Sequence, residues 1–264
     1  MKSVGAEIVR NEVRPITVWR RFASQRLAHA FCVGTAKSGT HSINSFVREP
    51  LTAAHELEKE QTISLILKAN ASKTDRQQIN RFLVKRDRKY RLDIDSSQLN
   101  YFFLDALVSL FPKSRFILTV REPRAWLDSF VNHQLGRTVS PNWQKLRDMR
   151  FRPDKFAHRP EDAPLKARGL YSLDGYLSYW REHNLRVPAT VPSERLLILR
   201  TREIQDSIPR IARFLSIDAG LLDANRAHAF PAAGKFNVLD LLEPRYLDDR
   251  IAHYTHDVMS DLFV

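Results

Sequence analysis

The sequence predicts an α/β protein: a central parallel β-sheet flanked by helices on both faces, a three-layer α/β/α arrangement in one domain spanning residues 30–264. Three observations predict it. Short, bulky apolar runs, the mark of strands covered on both faces, recur along the chain. They alternate with longer stretches of helical periodicity, and such alternation suits a parallel sheet wrapped by its own crossovers. No repeat, low-complexity tract or linker interrupts the pattern, and 264 residues with 43% apolar content fit one large core.

Residues 1–29 form a basic N-terminal extension in which Trp19–Arg26 (WRRFASQR) reads as a short amphipathic helix. Its Arg-rich composition is that of a transit peptide, but Glu7 and Glu12 count against that reading. From Ala30, AFCVGT reads as a strand ending at Gly34, and SGTHSINSFVRE as the opening turns of a helix. A second strand follows at Leu51–Glu56, then helical patterning through Leu67 and over Asp75–Tyr90. Tyr90–Asp95 alternates like a strand, and Leu99–Leu110 has the three-and-four spacing of a buried helix. RFILTV (Arg115–Val120) is the best strand in the sequence and leads into REPRAWLDSFVNH, where Pro123 suits the first turn of a helix. Residues 136–168, rich in Pro, Arg and Asp with weak periodicity, read as a long loop or substrate lid. Helix at Leu170–Arg186, strand at Arg195–Leu199, helix at Ile204–Leu215 and a final amphipathic helix at Tyr246–Phe263 complete the order.

Composition narrows the partners. The chain carries 42 Lys and Arg against 30 Asp and Glu, a formal charge of +12. Such an excess suits nucleic acid, an anionic membrane surface or a small polyanion. The single Cys32 excludes an intramolecular disulfide and a multi-cysteine metal site, which is compatible with a reducing, cytoplasmic setting. The longest apolar runs, Ile63–Leu67 and Leu107–Phe111, fall far short of the roughly 18 residues of a membrane span.

The strand, the loop Gly34-Thr35-Ala36-Lys37-Ser38-Gly39-Thr40-His41-Ser42 and the helix after it have the organisation of a phosphate cradle. Unpaired N–H groups and the positive end of the helix dipole favour an anion there. Gly34 and Gly39 occupy the glycine positions of GxxxxGK[ST], but Thr40 stands where the lysine belongs, and the basic residue lies inside the loop at Lys37. KSGT in this setting resembles the 5′-phosphosulfate loop of sulfotransferases that use 3′-phosphoadenosine 5′-phosphosulfate (PAPS). That family carries a second signature, an Arg closing a central strand and a Ser eight residues later. Arg121 closes RFILTV and Ser129 lies at that spacing. LFPKSRFILTVREPRAWLDSF is similar to the family's second-motif region, and AAHE, DSSQLNYFF and LRTREI are similar to a bacterial branch.

The resemblance implies a P-loop-like fold and sulfuryl transfer without a metal. Lys37 would stabilise the oxygen bridging phosphorus and sulfur, and the loop residues Ala36, Ser38, Gly39, Thr40, His41 and Ser42 would hold the 5′-phosphate, chiefly by amides from Ser38 to His41 and the Thr40 hydroxyl. Arg121 and Ser129 would anchor the 3′-phosphate, with Lys235 a further contact near the C-terminus. The cytosolic members follow KSGTT with a Trp that stacks on adenine; here His41 and Ser42 stand in that region, and Phe230 and Phe236 are the candidates for the adenine. The base is Glu56 or His55, at the end of the second strand, with Glu56 the first choice. Neighbouring strand residues face opposite ways, so one of them enters the site. Asp95 and Ser96, and His133 on the helix bearing Ser129, are the candidates for acceptor contacts. The aromatic set Trp126, Trp143, Tyr176, Tyr179 and Trp180 reads either as core or as a lining for the acceptor, with core the first choice. The acceptor is a hydroxyl or amine, on a carbohydrate or small metabolite.

Two other classes compete. A P-loop kinase or NTPase lacks its lysine after Gly39 and a convincing second-strand Asp for magnesium. A nucleic-acid-binding protein would account for the net charge and the basic run Lys85–Arg91, but no recognition motif accompanies them. A family member that binds nucleotide without turnover is a third alternative.

Overall fold

The computed structural model describes residues 25–226 and 235–263. Five strands form one sheet, β1 (Ala30–Cys32), β2 (Ala53–His55), β3 (Ile94–Ser96), β4 (Arg115–Val120) and β5 (Leu196–Arg200). All pairs are parallel, in the order β2-β3-β1-β4-β5. β1 lies between β3 and β4, with Cys32 level with Ser96 on one side and Ile117 on the other. The chain leaves β1 toward one edge and later returns to its other flank, so the loop after β1 stands at the switch point, where open sheets of this kind place their ligands.

Ten helices surround the sheet among the described residues: α1 (Thr40–Ser45), α2 (Lys59–Asn70), α3 (Arg76–Tyr90), α4 (Leu104–Leu110), α5 (Pro123–Leu135), α6 (Pro141–Phe151), α7 (Ala163–Lys166), α8 (Leu173–Thr190), α9 (Ile208–Leu215) and α10 (Pro244–Leu262). Strand alternation divides the core. Phe31, Val33, Phe116, Leu118 and Val120 join the larger cluster under α2, α5 and α8, with Trp126, Phe130, Tyr176 and Trp180. Ala30, Cys32 and Ile117 face the other way, onto Ile43 and Phe46 beside α1 and Ile211 and Leu215 of α9. The α/β/α layering predicted from the sequence is therefore the observed one. None of the described helices is long and apolar enough to cross a membrane.

Boundaries differ where capping decides them. β2 is confined to Ala53–His55, and the chain turns at once with Glu56 at φ 51°. Tyr90 ends α3 instead of starting a strand, because Arg91 adopts φ 47° and its N–H closes the helix on the Asp87 carbonyl. Gln98–Phe103 is a 3-10 turn capped by the Ser97 hydroxyl, with α4 beginning only at Leu104. Residues 201–203 form a separate 3-10 turn before α9. The largest departure is in 136–168, expected as a loop: Ser140 caps α6, Pro141 occupies its first turn, and the helix packs on α2 and α8. Two of its four inward positions, Arg147 and Arg150 beside Leu146 and Phe151, are arginines, which is why no apolar stripe announced it. Residues 1–24, with most of the expected N-terminal helix, lie outside the described residues.

Candidate active site at the carboxyl edge of the sheet

The loop leaving β1 is anchored from behind. The Val33 N–H bonds the Ile117 carbonyl at 2.9 Å, and the Trp126 indole donates to the Ala36 carbonyl at 2.8 Å. The Thr201 hydroxyl donates to the Ser38 carbonyl. Packing requires Gly34, where a Cβ would lie 2.1 Å from Thr119 Oγ1 and 2.7 Å from the Thr119 carbonyl, and backbone conformation requires Gly39, at φ 111°. Lys37 itself has φ 66°, and Thr40 begins α1.

Lys37 and Arg121 meet there, with Arg121 Nη1 donating to the Lys37 carbonyl at 3.3 Å from the end of β4. Burial lowers the Lys37 pKa, reinforced by Arg121 and Arg137, and burial likewise lowers that of Arg121. Ser129 is buried two turns into α5. His133, later on the same helix, is pushed down to about 3 by burial and by Arg137, Lys37 and Arg147, so it is a neutral imidazole among cations. Lys235 is exposed, and next to it the Phe236 N–H donates to Asn132 Oδ1 of α5 at 2.6 Å while its ring is 52% exposed. Phe230 lies outside the described residues.

The β2 end supplies the second half. His55 faces α1: its Nε2 is 3.3 Å from Thr40 Oγ1, and its ring stacks on His41 at 4.6 Å. Burial lowers the pKa of both imidazoles, His41 to about 4, so both are neutral near pH 7. Glu56, half-buried, accepts from Gln98 Nε2 at 2.5 Å, and its charge acts on both imidazoles, partly offsetting the effect of burial. Gln98 Oε1 in turn accepts from Arg150 Nη1 of α6 at 2.8 Å.

A sequence model of the family described as a sulfotransferase domain matches residues 29–219, most of the chain and both halves of this site. The chain belongs to the sulfotransferase family. It is 29% identical over 106 residues to Ava biosynthesis cluster protein M of Aspergillus versicolor, a match that spans 36% of this sulfotransferase and 40% of that relative. Among solved structures it is similar to a sulfotransferase from Alicyclobacillus acidocaldarius, at 12% identity and TM-score 0.47, covering 89% of this chain and 97% of that one. It is also similar to mouse sulfotransferase SULT7A1 complexed with PAP, at 17% identity and TM-score 0.45, covering 91% and 90%.

Within this sulfotransferase, three site expectations change. Ser38 was expected to offer its amide to a phosphate, but its N–H and hydroxyl both turn to the Thr35 carbonyl, at 3.3 and 2.7 Å, with Thr119 Oγ1 2.9 Å from the hydroxyl. Asp95 is withdrawn from any acceptor by a buried ion pair with Arg86 at 2.8 Å. Ser96 donates to the Thr40 carbonyl at 2.6 Å, tying β3 to α1. The aromatic set is core: Trp126, Tyr176 and Trp180 are fully buried, and the Trp180 indole braces the Arg121 carbonyl at 3.1 Å. Gln98, Arg147 and Arg150 are the neighbours that sequence reasoning missed. The one local signal for the pair on α6 was two arginines three apart, which place both on one helical face.

Proposed function

We propose that this sulfotransferase moves a sulfuryl group from PAPS to a hydroxyl or amine acceptor by in-line displacement. The observation that carries this reading is the meeting of Lys37 and Arg121, a loop cation and a strand-end cation from opposite ends of the sequence motif pair, on one edge of the sheet. Neither forms an ion pair with a carboxylate among the described residues, as do Arg86 and Arg152 elsewhere. Half-buried cations of this kind are complemented by an anionic ligand.

Each group then has a task. The Lys37 ammonium neutralises charge that develops on the oxygen between phosphorus and sulfur, and the start of α1 offers its N–H groups to the 5′-phosphate. Thr40 adds its hydroxyl. Arg121 presents a guanidinium fork to the 3′-phosphate, and Ser129 follows it on α5. This pair distinguishes PAPS from ATP, which has no phosphate at that position. Glu56 takes the acceptor proton: Gln98 fixes its Oε1, which leaves Oε2 for the transfer. His55 is the second choice, since its ring is turned to Thr40 and His41. Charge stabilisation and positioning supply most of the catalysis in this scheme, with one proton transfer.

Thermal shift with 3′,5′-adenosine bisphosphate (PAP), ATP and 5′-AMP tests the donor. A specific ligand at about 100 times its Kd adds roughly 2.7 kcal/mol. PAP is expected to stabilise the protein and the other two to do so far less. Stabilisation by ATP without PAP would sink the donor assignment.

A further inference from the structure

Two guanidiniums on the inward face of α6 border the Glu56 end of the site without an anion of their own among the described residues. Arg150 is only 4% exposed and Arg147 9%, both on the inward face of α6. Neither has a carboxylate partner within ion-pair distance among the described residues. The contrast with the buried Arg86 and the partly buried Arg26 and Arg152 is direct. Arg26, Arg86 and Arg152 each have an Nε without a hydrogen-bond partner, yet each is neutralised by an acid, Asp87, Asp95 and Glu182 respectively. Arg150 has two such nitrogens, Nε and Nη2, and no acid.

Those two nitrogens form one edge of the guanidinium plane, the edge that grips an oxyanion with two parallel N–H bonds. The other edge is occupied, since Nη1 donates to Gln98. Phe102 and Tyr179 flank the group, their ring centroids 5.2 and 5.5 Å from its central carbon, and the buried Tyr179 hydroxyl also lacks a partner. The unfilled groups are thus hydrogen-bond donors around a charge that has been taken out of water. Such an arrangement is unfavourable by itself and becomes favourable when an anion completes it. Through Gln98 the same guanidinium is two hydrogen bonds from Glu56, and Arg147 adds charge from the next turn while also acting on His133 beside Lys37.

We infer that the acceptor is itself an anion: a hydroxyl- or amine-bearing molecule whose own oxyanion is held by the Nε/Nη2 edge of Arg150, with Arg147 beside it. The inference rests on the PAPS-dependent reading above and names its acceptor class. In the step it serves, the acceptor oxygen or nitrogen forms a bond to sulfur as the bond from sulfur to the bridging oxygen breaks. PAP leaves, and the acceptor proton passes to Glu56. Because one guanidinium touches both the acceptor anion and the Gln98 that positions Glu56, seating the anion also aligns the reacting group with its base.

The test supplies labelled PAPS with three mixtures of hydroxyl compounds on matched carbon skeletons: carboxylates, phosphate monoesters, and neutral methyl esters. Label is expected to enter one of the anionic mixtures at least about tenfold faster than the neutral one. Arg150→Met, which keeps the apolar stem between the two rings, should reduce that preference to less than about twofold and raise KM for the labelled compound, with PAP stabilisation unchanged. Arg150→Lys keeps the charge and loses the fork, so it should retain the preference with a raised KM. Which anionic mixture is labelled distinguishes carboxylate from phosphate. Equal or faster labelling of the neutral mixture, a preference that survives in Arg150→Met, or no labelling of any mixture while PAP still stabilises the protein would overturn the inference and leave the donor reading intact. Loss of PAP stabilisation in the unaltered protein would instead overturn the donor reading and this inference with it.

Discussion

The proposed donor and acceptor halves of the site are built differently. The donor half is assembled from backbone: the Ala36, Lys37 and Ser38 carbonyls are each held by a side chain, Gly34 leaves room for Thr119, and Gly39 takes a positive φ. The acceptor half is assembled from side chains, Glu56 to Gln98 to Arg150, each from a different part of the chain. A backbone cradle tolerates little change in shape but many changes of exposed side chain. A side-chain relay has the opposite tolerance, and it can be retuned without rebuilding the sheet.

That contrast is sharpened by substitution. On the proposed role of Lys37 at the reacting bond, Lys37→Ala should lower labelled sulfate transfer by about 10³-fold, the upper range for loss of one electrostatic stabiliser. Glu56→Gln should lower kcat by roughly 10²-fold, at the low end for a general base, with PAP affinity retained. Full activity in that variant would reassign the base to His55. Gly34→Ala should destabilise the fold by about 1–3 kcal/mol in chemical denaturation, because the added Cβ meets Thr119 at 2.1 Å. A neutral result there would break the claim that backbone fit defines the donor half.

The smallest effect is on pH dependence. Burial and three neighbouring cations lower the His133 pKa from 6.5 to about 3. A lowered histidine leaves stability unaffected above pH 6.5 and removes it as pH falls, because the unfolded chain takes up a proton that the folded one refuses. At pH 5 this group alone should cost roughly 2 kcal/mol relative to pH 8, and His133→Asn should remove that share of the dependence while the share due to His41 and His55, also lowered by burial, remains. The same profile in His133→Asn as in the unaltered protein would place His133 in contact with solvent.

The same division explains what the sequence could reveal. RFILTV announced β4 to the residue, and the loop glycines with Lys37 and Arg121 were legible because each lies in a short, ordered motif on a strand-to-helix junction. Gln98 and Arg150 were not, since their significance arises from partners 42 and 52 positions away. Asp95 and Ser96 misled for the same reason: their position at a strand end suggested the site, while Arg86 and the Thr40 carbonyl claim them. α6 escaped notice because inward arginines erased its apolar stripe, so the feature that hid the helix is the one on which the proposed anion site rests.

The central claim is that the donor is held by Lys37 and Arg121 and the acceptor chemistry by a separate set of residues. Calorimetric titration of PAP into the unaltered protein, Arg121→Ala and Glu56→Gln tests it most directly. The account predicts that PAP affinity falls at least about tenfold in Arg121→Ala, as for loss of a charge-assisted phosphate contact, and is unchanged in Glu56→Gln. Equal affinities in all three, or an equal loss in both variants, would contradict it.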